Sequence, residues 1–294
     1  MDQVQLLHWD HRPSKLRAPA LICAFSGWND AGEAASAALR FLGSALGAER
    51  FAWADSEELF DYQATRPTVR LRKSGARSIE WPQLELLAAK VPRAPRDVLL
   101  LQGPEPSLRW RSLADQVFEV AEALGVQLVV SVGALLAEVA HTRPVPLTAL
   151  ASDPALIERF GLRSSSYEGP TGIVGVLHST FARGGVPAVS LWASVPHYVA
   201  AAPNPKAALA LVRRTEALIG VTVDASALER AAADYERQVG LAVAADSDVQ
   251  AFVERLEQNG SEEDEALLWS ELPSGELIAR EFQRFLRQRG AEGS

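Results

Sequence analysis

Short apolar runs alternate with longer amphipathic segments along the first 220 residues of this chain. The apolar runs have the length of buried strands and little polar alternation, which is typical of strands covered on both faces. The predicted strands are Leu21–Phe25, Asp97–Leu101, Val126–Val132, Pro144–Leu150 and Val186–Ala193. Helices are predicted at 31–46, 109–124, Ala134–Ala140, Ile173–Phe181 and Pro205–Ile219, with another starting at Ser152-Asp153-Pro154. The alternation predicts an α/β three-layer sandwich around a mostly parallel sheet.

Two regions depart from this alternation. Between Phe51 and Val91 the segments are short and have little helix between them, so we expect an antiparallel or mixed excursion at one edge of the sheet. After Gly220 only helical patterns remain, at Ala225–Val239, Ser247–Gln258 and Ser274–Arg289. We therefore predict an α/β domain at 1–220 and a helical C-terminal extension at 221–294 packed on it.

The charge of the chain changes at the same point. Residues 221–294 carry 16 Asp and Glu against 7 Lys and Arg, whereas the whole chain has a net charge of -8. The first part is therefore nearly neutral and the extension is acidic. Nucleic-acid binding is not expected, because it needs a basic face that displaces counterions.

No metal or cofactor is predicted. Cys23 is the only cysteine in the sequence, so neither an intramolecular disulfide nor a thiolate cluster can form. It lies in an apolar run and is expected to be buried in the core. The acidic run Glu262-Glu263-Asp264-Glu265 has no EF-hand glycine pattern and is interpreted as a solvated loop or helix cap.

The expected location is the cytoplasm. The N-terminal residues Met-Asp-Gln-Val-Gln contain no basic stretch followed by an apolar region, as a signal peptide would. No apolar stretch approaches the roughly 20 residues of a membrane span, so no membrane association is expected.

Polar sequences rich in Gly and Pro follow several predicted strands. They occur at Gly27–Asp30, Gly103–Pro106, Ser152–Pro154 and Pro196–Tyr198, with His141–Pro144 and Tyr167–Gly172 close to other strand ends. In a parallel sheet such loops gather at the carboxyl edge, where open α/β sheets bind ligands. The alternative is that Pro and Gly only punctuate turns. The candidate binding residues are Trp28, Asn29, Asp30, Glu105, Arg109, Trp110, His141, Arg143, Tyr167, Glu168, Thr171, His197 and Tyr198.

These residues do not form a recognisable catalytic set. Arg109 suits pairing with Glu105 or Glu168, or the binding of an anion. His141 and His197 are the only plausible bases, and neither a Gly-x-Ser-x-Gly nor a His-Glu-x-x-His motif is present. We therefore predict no catalytic residue and expect a binding protein rather than an enzyme.

The same segments resemble the bacterial, especially actinobacterial, branch of the proteasome assembly chaperone 2 family. The resemblance covers roughly residues 18–220 and depends on several uncommon short sequence motifs that occur in a fixed order. They are Ser26-Gly27-Trp28-Asn29-Asp30-Ala31-Gly32, Gly103-Pro104-Glu105-Pro106, Arg109-Trp110, His141-Thr142-Arg143-Pro144, Tyr167-Glu168-Gly169-Pro170-Thr171-Gly172, Ser190-Leu191-Trp192-Ala193, Pro196-His197-Tyr198 and Pro203-Asn204-Pro205-Lys206-Ala207.

The resemblance implies an α/β sandwich similar to purine nucleoside phosphorylases and peptidyl-tRNA hydrolases, and a homo-oligomer. Eukaryotic and archaeal relatives bind proteasome core subunits during assembly, whereas bacterial members largely lack an assigned activity. Relatives that dock on the proteasome commonly end in a hydrophobic-Tyr-any tail. This sequence ends Gly290-Ala291-Glu292-Gly293-Ser294, so docking through such a tail is not expected.

Two functions remain open from the sequence. The first is a scaffold or chaperone-like homo-oligomer that binds proteasome core subunits or another protein, with Trp28, Trp110 and Tyr198 as interface anchors. The second is a small-molecule binding protein or enzyme that takes a nucleoside- or anion-like ligand in a pocket at the carboxyl edge. There Arg109 and Arg143 would hold an anion, Glu105 or Glu168 would orient a polar group, and His141 or His197 would transfer a proton. We favour the first.

Overall fold

A nine-stranded sheet is the centre of the computed structural model, which describes residues 4–161, 163–165, 167–199 and 203–259. The strands are β1 (Leu7–Trp9), β2 (Ala20–Ser26), β3 (Glu49–Ala54), β4 (Thr68–Leu71), β5 (Arg77–Glu80), β6 (Leu84–Ala89), β7 (Val98–Pro104), β8 (Leu128–Ala137), β9 (Leu147–Ala151), β10 (Arg163–Ser164) and β11 (Ala188–Pro196). Their order in the sheet is β1-β3-β6-β7-β2-β8-β11-β9-β10, while β4 and β5 form a separate hairpin. The four central strands β7, β2, β8 and β11 are parallel.

Helices cover both faces of the sheet. They are α1 (Ala34–Ala45), α2 (Ser56–Leu59), α3 (Trp110–Ala123), α4 (Pro154–Arg159), α5 (Ile173–Arg183), α6 (Pro205–Ile219), α7 (Ser226–Ala244) and α8 (Ser247–Asn259). Alternate residues of β2 point to opposite faces. Ile22 packs in one core with α1 and α6, whereas Cys23 and Phe25 pack in the other core with α3 and α5. The predicted three-layer α/β sandwich is confirmed.

The predicted helix at Ala134–Ala140 is wrong, because β8 continues as a strand to Ala137. The neighbouring strand β11 also runs past its predicted end at Ala193 and pairs with β8 as far as Pro196 opposite Ala137. Alanine and leucine favour helix locally, but hydrogen bonding between these two strands outweighs that preference.

The loop Ser152–Pro154 does not lie at the carboxyl edge. Strand β9 is antiparallel to β11, so its end lies beside the beginning of β11. Accordingly, the Ser152 amide donates to the Ala188 carbonyl over 2.9 Å. This loop therefore belongs to the opposite edge from the other candidate loops, where the Asp153 side chain caps α4.

The predicted antiparallel excursion is confirmed at the β3 side of the sheet. Strand β3 pairs antiparallel with β6, and β6 pairs antiparallel with β7, so β3 ends and β6 begins at the carboxyl edge. Ala54 and Leu84 are direct register partners at that point. Residues 55–83, which include α2 and the β4–β5 hairpin, therefore leave and rejoin the sheet at one place.

Helices α7 and α8 confirm two of the three helices predicted after Gly220. The third, Ser274–Arg289, and the acidic run Glu262–Glu265 lie outside the described residues. Within the described part of the chain, no helix combines the length and apolar character that crossing a membrane requires. The boundary between the α/β domain and the extension at residue 220 stays a prediction.

Candidate functional site

A shared carboxylate oxygen joins three of the loops predicted to gather at the carboxyl edge. The Asn29 side-chain amide donates to Glu105 Oε1 over 2.9 Å, and the Ile173 backbone amide donates to the same oxygen over 2.9 Å. The loops after β2 and β7 therefore meet the N-terminus of α5. A Cβ on Gly172 would lie 2.1 Å from Asn29 Nδ2 and 2.3 Å from Glu105 Oε1. A larger residue at that position would displace the Asn29 and Glu105 side chains from each other and from α5.

Glu105 is half-buried, and burial raises the pKa of its carboxyl group, while the bonds from Ile173 and Asn29 lower it. Its Oε1 already accepts two hydrogen bonds from the protein. The cluster of Asn29, Glu105 and the start of α5, here called the loop lock, therefore fixes loops relative to one another.

Asp30 adds a second anchor next to Asn29, at the end of the Gly27–Asp30 loop. Its Oδ1 accepts from the amides of Ala35 (2.8 Å) and Ser36 (3.1 Å), which fastens it to the first turn of α1. Burial raises the pKa of Asp30, and its bonds to Ser36 and Ala35 oppose that rise. Trp28 lies between the end of β2 at Ser26 and these two adjacent anchors, and it is 65% exposed. A rigid loop thus presents an indole to solvent.

Arg109 does not pair with Glu105 or Glu168, which corrects the sequence-based expectation. Its Nε lies 2.6 Å from Glu58 Oε2 in α2. The neighbouring indole of Trp110 donates to the Pro106 carbonyl and lies partly buried. Both side chains therefore attach the start of α3 to nearby segments.

His141 and Tyr198 meet in a second cluster, at the ends of β8 and β11. The Tyr198 hydroxyl lies 2.8 Å from both the backbone nitrogen and Nδ1 of His141. Lys206 Nζ donates to the His141 carbonyl over 2.5 Å and pairs with Glu236 of α7 at 2.6 Å. Burial and the nearby Lys206 lower the pKa of His141.

Helix α8 covers this second cluster. Glu257 accepts from Thr142 Oγ1 through its carboxylate (2.5 Å) and from the Arg143 guanidinium through its backbone carbonyl. The ring of Phe252 packs edge-on against His197 and Tyr198. His141 is therefore buried beneath the C-terminal helices, whereas Arg143 and His197 are exposed and contact α8 from beside it.

A cavity of about 10 Å³ lies beneath α7, between His141 and Tyr235. His141 Nε2 and the Tyr235 hydroxyl are buried there without a hydrogen-bond partner. Burial raises the pKa of Tyr235 to about 12. A single water needs roughly 10–15 Å³ and polar neighbours. The space therefore suits one water and is far too small for a nucleoside.

The remaining candidates lie in the 167–172 loop. The Tyr167 hydroxyl donates to the Pro170 carbonyl over 2.9 Å, whereas Glu168 and Thr171 are exposed. Sequence reasoning missed Glu58 and Glu257, which contact Arg109 and Arg143, and Glu236, which pairs with Lys206 beside His141. All three come from distant parts of the chain and carry no local signal. Within the described ranges, no group of three His, Cys, Asp or Glu side chains is placed to bind a metal.

Three exposed apolar side chains lie at or after the carboxyl ends of neighbouring parallel strands. Trp28 follows β2, Leu108 follows β7, and Leu136 lies near the end of β8. We call these residues the carboxyl-edge patch. Exposed apolar groups that share one edge are typical of protein-binding surfaces.

Comparison with known proteins gives one consistent result. A sequence model described as the PAC2 family matches residues 24–243. The crystal structure of a PAC2 family protein from Streptomyces avermitilis is 48% identical, with a TM-score of 0.74, and the alignment covers 80% of this chain and 99% of that chain. A proteasome-assembly chaperone homologue from Mycobacterium tuberculosis is 41% identical, with the same TM-score and coverage.

A more distant structure shares the fold. An archaeal proteasome activator from Pyrococcus furiosus is 18% identical with a TM-score of 0.65, over 80% of this chain and 97% of that chain. None of the curated proteins compared with this chain matches it significantly.

Proposed function

Because this chain belongs to the PAC2 family, we propose that it is a non-catalytic, assembly-chaperone-like protein that binds a protein partner through its carboxyl-edge patch. The observation that carries the proposal is Trp28, an exposed tryptophan on a short loop between the end of β2, held in the sheet, and the anchored residues Asn29 and Asp30. Tryptophan is among the residues that contribute most to binding when they are desolvated in an interface. A loop that is already rigid loses little conformational entropy on binding.

The proposed partners are proteasome core subunits. One relative is described as a proteasome-assembly chaperone homologue and another, of the same fold, as a proteasome activator. We also propose that the chain works as a homo-oligomer in the cytoplasm.

The arrangement of the polar side chains supports binding over catalysis. Glu105 Oε1 is engaged by Asn29 and by a backbone amide, and Arg109 is paired with Glu58. His141 is buried beside a cavity of about 10 Å³ and contacts the Tyr198 hydroxyl, and the Arg143 guanidinium donates to the Glu257 carbonyl. In this conformation Glu105, Arg109, His141 and Arg143 are each engaged by other groups of the protein itself.

The test is native mass spectrometry of the tagged protein purified from its own cells, comparing the wild type with W28A/L108S. We expect the wild type to carry proteasome α-subunits and the double variant to lose at least about 90% of them, as for two central interface residues. Leu241 of α7 is as exposed as Trp28 but lies outside the patch. L241S is therefore the matched control and should retain its partners.

Undiminished α-subunit binding by W28A/L108S would show that the patch is not the interface. A wild-type protein that carries a small bound mass and no protein partner would contradict the proposed function. It would favour the small-molecule alternative instead.

A further inference from the structure

The β4–β5 hairpin is the most exposed part of the described sheet structure. The two strands pair with each other in a two-stranded sheet that is separate from the main one. Seven of their eight residues are exposed, and Ser78 is partly exposed. An isolated two-stranded hairpin is only marginally stable in water, so a surface of this kind gains from being covered.

One face of this hairpin is apolar. Val69 and Ile79 are direct cross-strand partners, and Leu71 stands two residues beyond Val69 on the same face. All three are more than half exposed, and Leu71 reaches 73%. Trp81 continues the face and is half exposed, with Tyr62 packed against one side of its ring at 4.8 Å. Contiguous exposed apolar groups of this kind mark interaction sites.

The hairpin is also strongly basic. Residues 66–80 contain five Arg or Lys and one acidic residue, whereas the chain as a whole has a net charge of -8. The acidic residue, Glu80, pairs with Arg70 at 3.1 Å on the opposite face. Arg72 and Lys73 lie at the turn, and Arg77 stands opposite Leu71 on the apolar face. A partner that covers this face therefore meets apolar side chains bordered by positive charge.

We propose that the apolar face of the β4–β5 hairpin docks an acidic, extended segment of a partner protein. The segment adds as a third strand to one edge of the two-stranded sheet, places alternate apolar side chains against Val69, Leu71 and Ile79, and presents carboxylates to the basic turn. The inference rests on the proposed function, since it assigns a second contact surface for a protein partner.

Charge and chemistry favour this occupant over others. A second copy of the chain would bring another basic hairpin to the same place, and like charges at an interface cost binding energy. Single-stranded nucleic acid is held by aromatic stacking platforms, whereas the three most exposed side chains of this face, Val69, Leu71 and Ile79, are aliphatic. The ring of Trp81 is already packed against Tyr62 on one side. The hairpin also leaves the main sheet at its carboxyl edge, where the proposed patch lies.

The experiment measures fluorescence anisotropy of a labelled seven-residue peptide of alternating Val and Glu, with a Val and Lys peptide as its counterpart. We expect the wild type to bind the acidic peptide at least about tenfold more tightly than the basic one. L71S/I79S should weaken binding by at least about tenfold, because apolar anchors are lost. T68S/S78A changes the opposite face of the same hairpin and is the matched control.

R72E/K73E keeps the apolar face intact and should also weaken binding of the acidic peptide, with a flatter salt dependence. Its result therefore does not depend on whether the serine variant keeps the hairpin folded. In the bound wild type, hydrogen exchange should slow at backbone amides of one hairpin strand, as an added strand requires.

Absence of acidic-peptide binding by the wild type, equal binding of both peptides, or full binding by L71S/I79S overturns the proposal. A wild-type oligomer that L71S/I79S dissociates assigns the face to a second copy and also overturns it. If the wild type binds phosphatidylserine vesicles and L71S/I79S does not, the face is assigned to a membrane surface, and the proposal is overturned as well. The assay contains no proteasome subunit, so its failure is separate from failure of the proposed function.

Discussion

A single oxygen atom, Glu105 Oε1, holds the loop lock together. It accepts hydrogen bonds from Asn29 and from the first residue of α5, so it joins three segments that are far apart in the sequence. Burial raises the pKa of this carboxyl group, which means that its charged form is costly at this position. Glu105 therefore stabilises the loop lock through its shape and its capacity to accept hydrogen bonds more than through its charge.

Glu105→Gln and Glu105→Ala separate these contributions. The glutamine carbonyl can accept both bonds without a buried charge, so we expect a loss below about 1 kcal/mol in the free energy of unfolding. The alanine variant leaves two donors without an acceptor and should lose about 2–3 kcal/mol. Urea unfolding of the two variants measures the difference, and equal losses would contradict this account of the loop lock.

At the residue scale, the sequence predicts which loops meet but not which side chains pair. The strand-then-polar-loop pattern correctly brings Asn29, Glu105 and the 167–172 loop to one edge. It fails for Arg109, because its partner Glu58 belongs to a one-turn helix in the excursion that no pattern places beside α3. Which side chains pair depends on how segments that are distant in the sequence pack against each other, and residue type alone does not predict that packing.

At the scale of elements, Glu216 connects α6 with the segment that leads into α7. Its Oε1 accepts from the Val223 amide over 2.6 Å, and its Oε2 accepts from Arg213 over 2.9 Å. Arg213 also pairs with Glu229 in the first turn of α7. The side chain of Glu216 is nearly fully buried. One buried carboxylate thus fixes the connection from α6 to α7, in addition to the apolar cluster that packs α7 and α8.

Glu216→Ala should therefore loosen α7 and α8 more than the central sheet. Removing the carboxylate leaves the buried Val223 amide without its acceptor, a loss of about 1–3 kcal/mol. We expect hydrogen exchange in α7 to rise several-fold while the amides of β2 stay protected. Glu229→Ala removes only an exposed pair and should change little. Equal acceleration in α7 and β2 would show that the helices unfold together with the sheet.

Helix boundaries follow from the sequence where local signals mark both ends. Helix α6 is predicted correctly at Pro205–Ile219, because the Asn204 side chain caps its start and Gly220, at φ 69°, ends it. Residues 134–137 carry no such signal. Alanine and leucine there fit a helix as well as a strand, and only pairing with β11 decides between them.

At the scale of the whole molecule, the single cysteine lies at the centre of the sheet. Cys23 is fully buried in β2, which pairs with β7 on one side and β8 on the other. Burial raises the pKa of its thiol, so little thiolate forms in the native protein. Its reaction with a thiol reagent therefore requires the sheet to open.

We expect Cys23 in the native protein to react with Ellman's reagent at least about 1,000-fold more slowly than in urea, because reaction follows the population of the open state. The matched control is S44C in a C23A background, since Ser44 is exposed on α1. That thiol should react at once in both states. Fast native labelling of Cys23 would mean that β2 opens without global unfolding.

The fold class of the molecule is the feature that the sequence predicts most fully. Alternating apolar runs and amphipathic helices define the layers, because each element must bury its apolar side against another. The direction of β9 is not predictable in this way. A strand flanked by helices is normally parallel to its neighbours, and the reversal of β9 is visible only in its register with β11.

The excursion from 55 to 83 begins and ends at two residues, Ala54 and Leu84, that face each other across a strand pair. Its two ends are thus held together by the sheet, and changing the length of the intervening chain adds little closure entropy. Residues 66–80 of this segment lie outside both cores, whereas Leu59 and Phe60 are buried in one of them. Insertions, deletions or whole replacement hairpins within 66–80 can therefore be accepted without disturbing either core. In an engineered chain, this stretch is where binding preference can be changed while the scaffold stays the same.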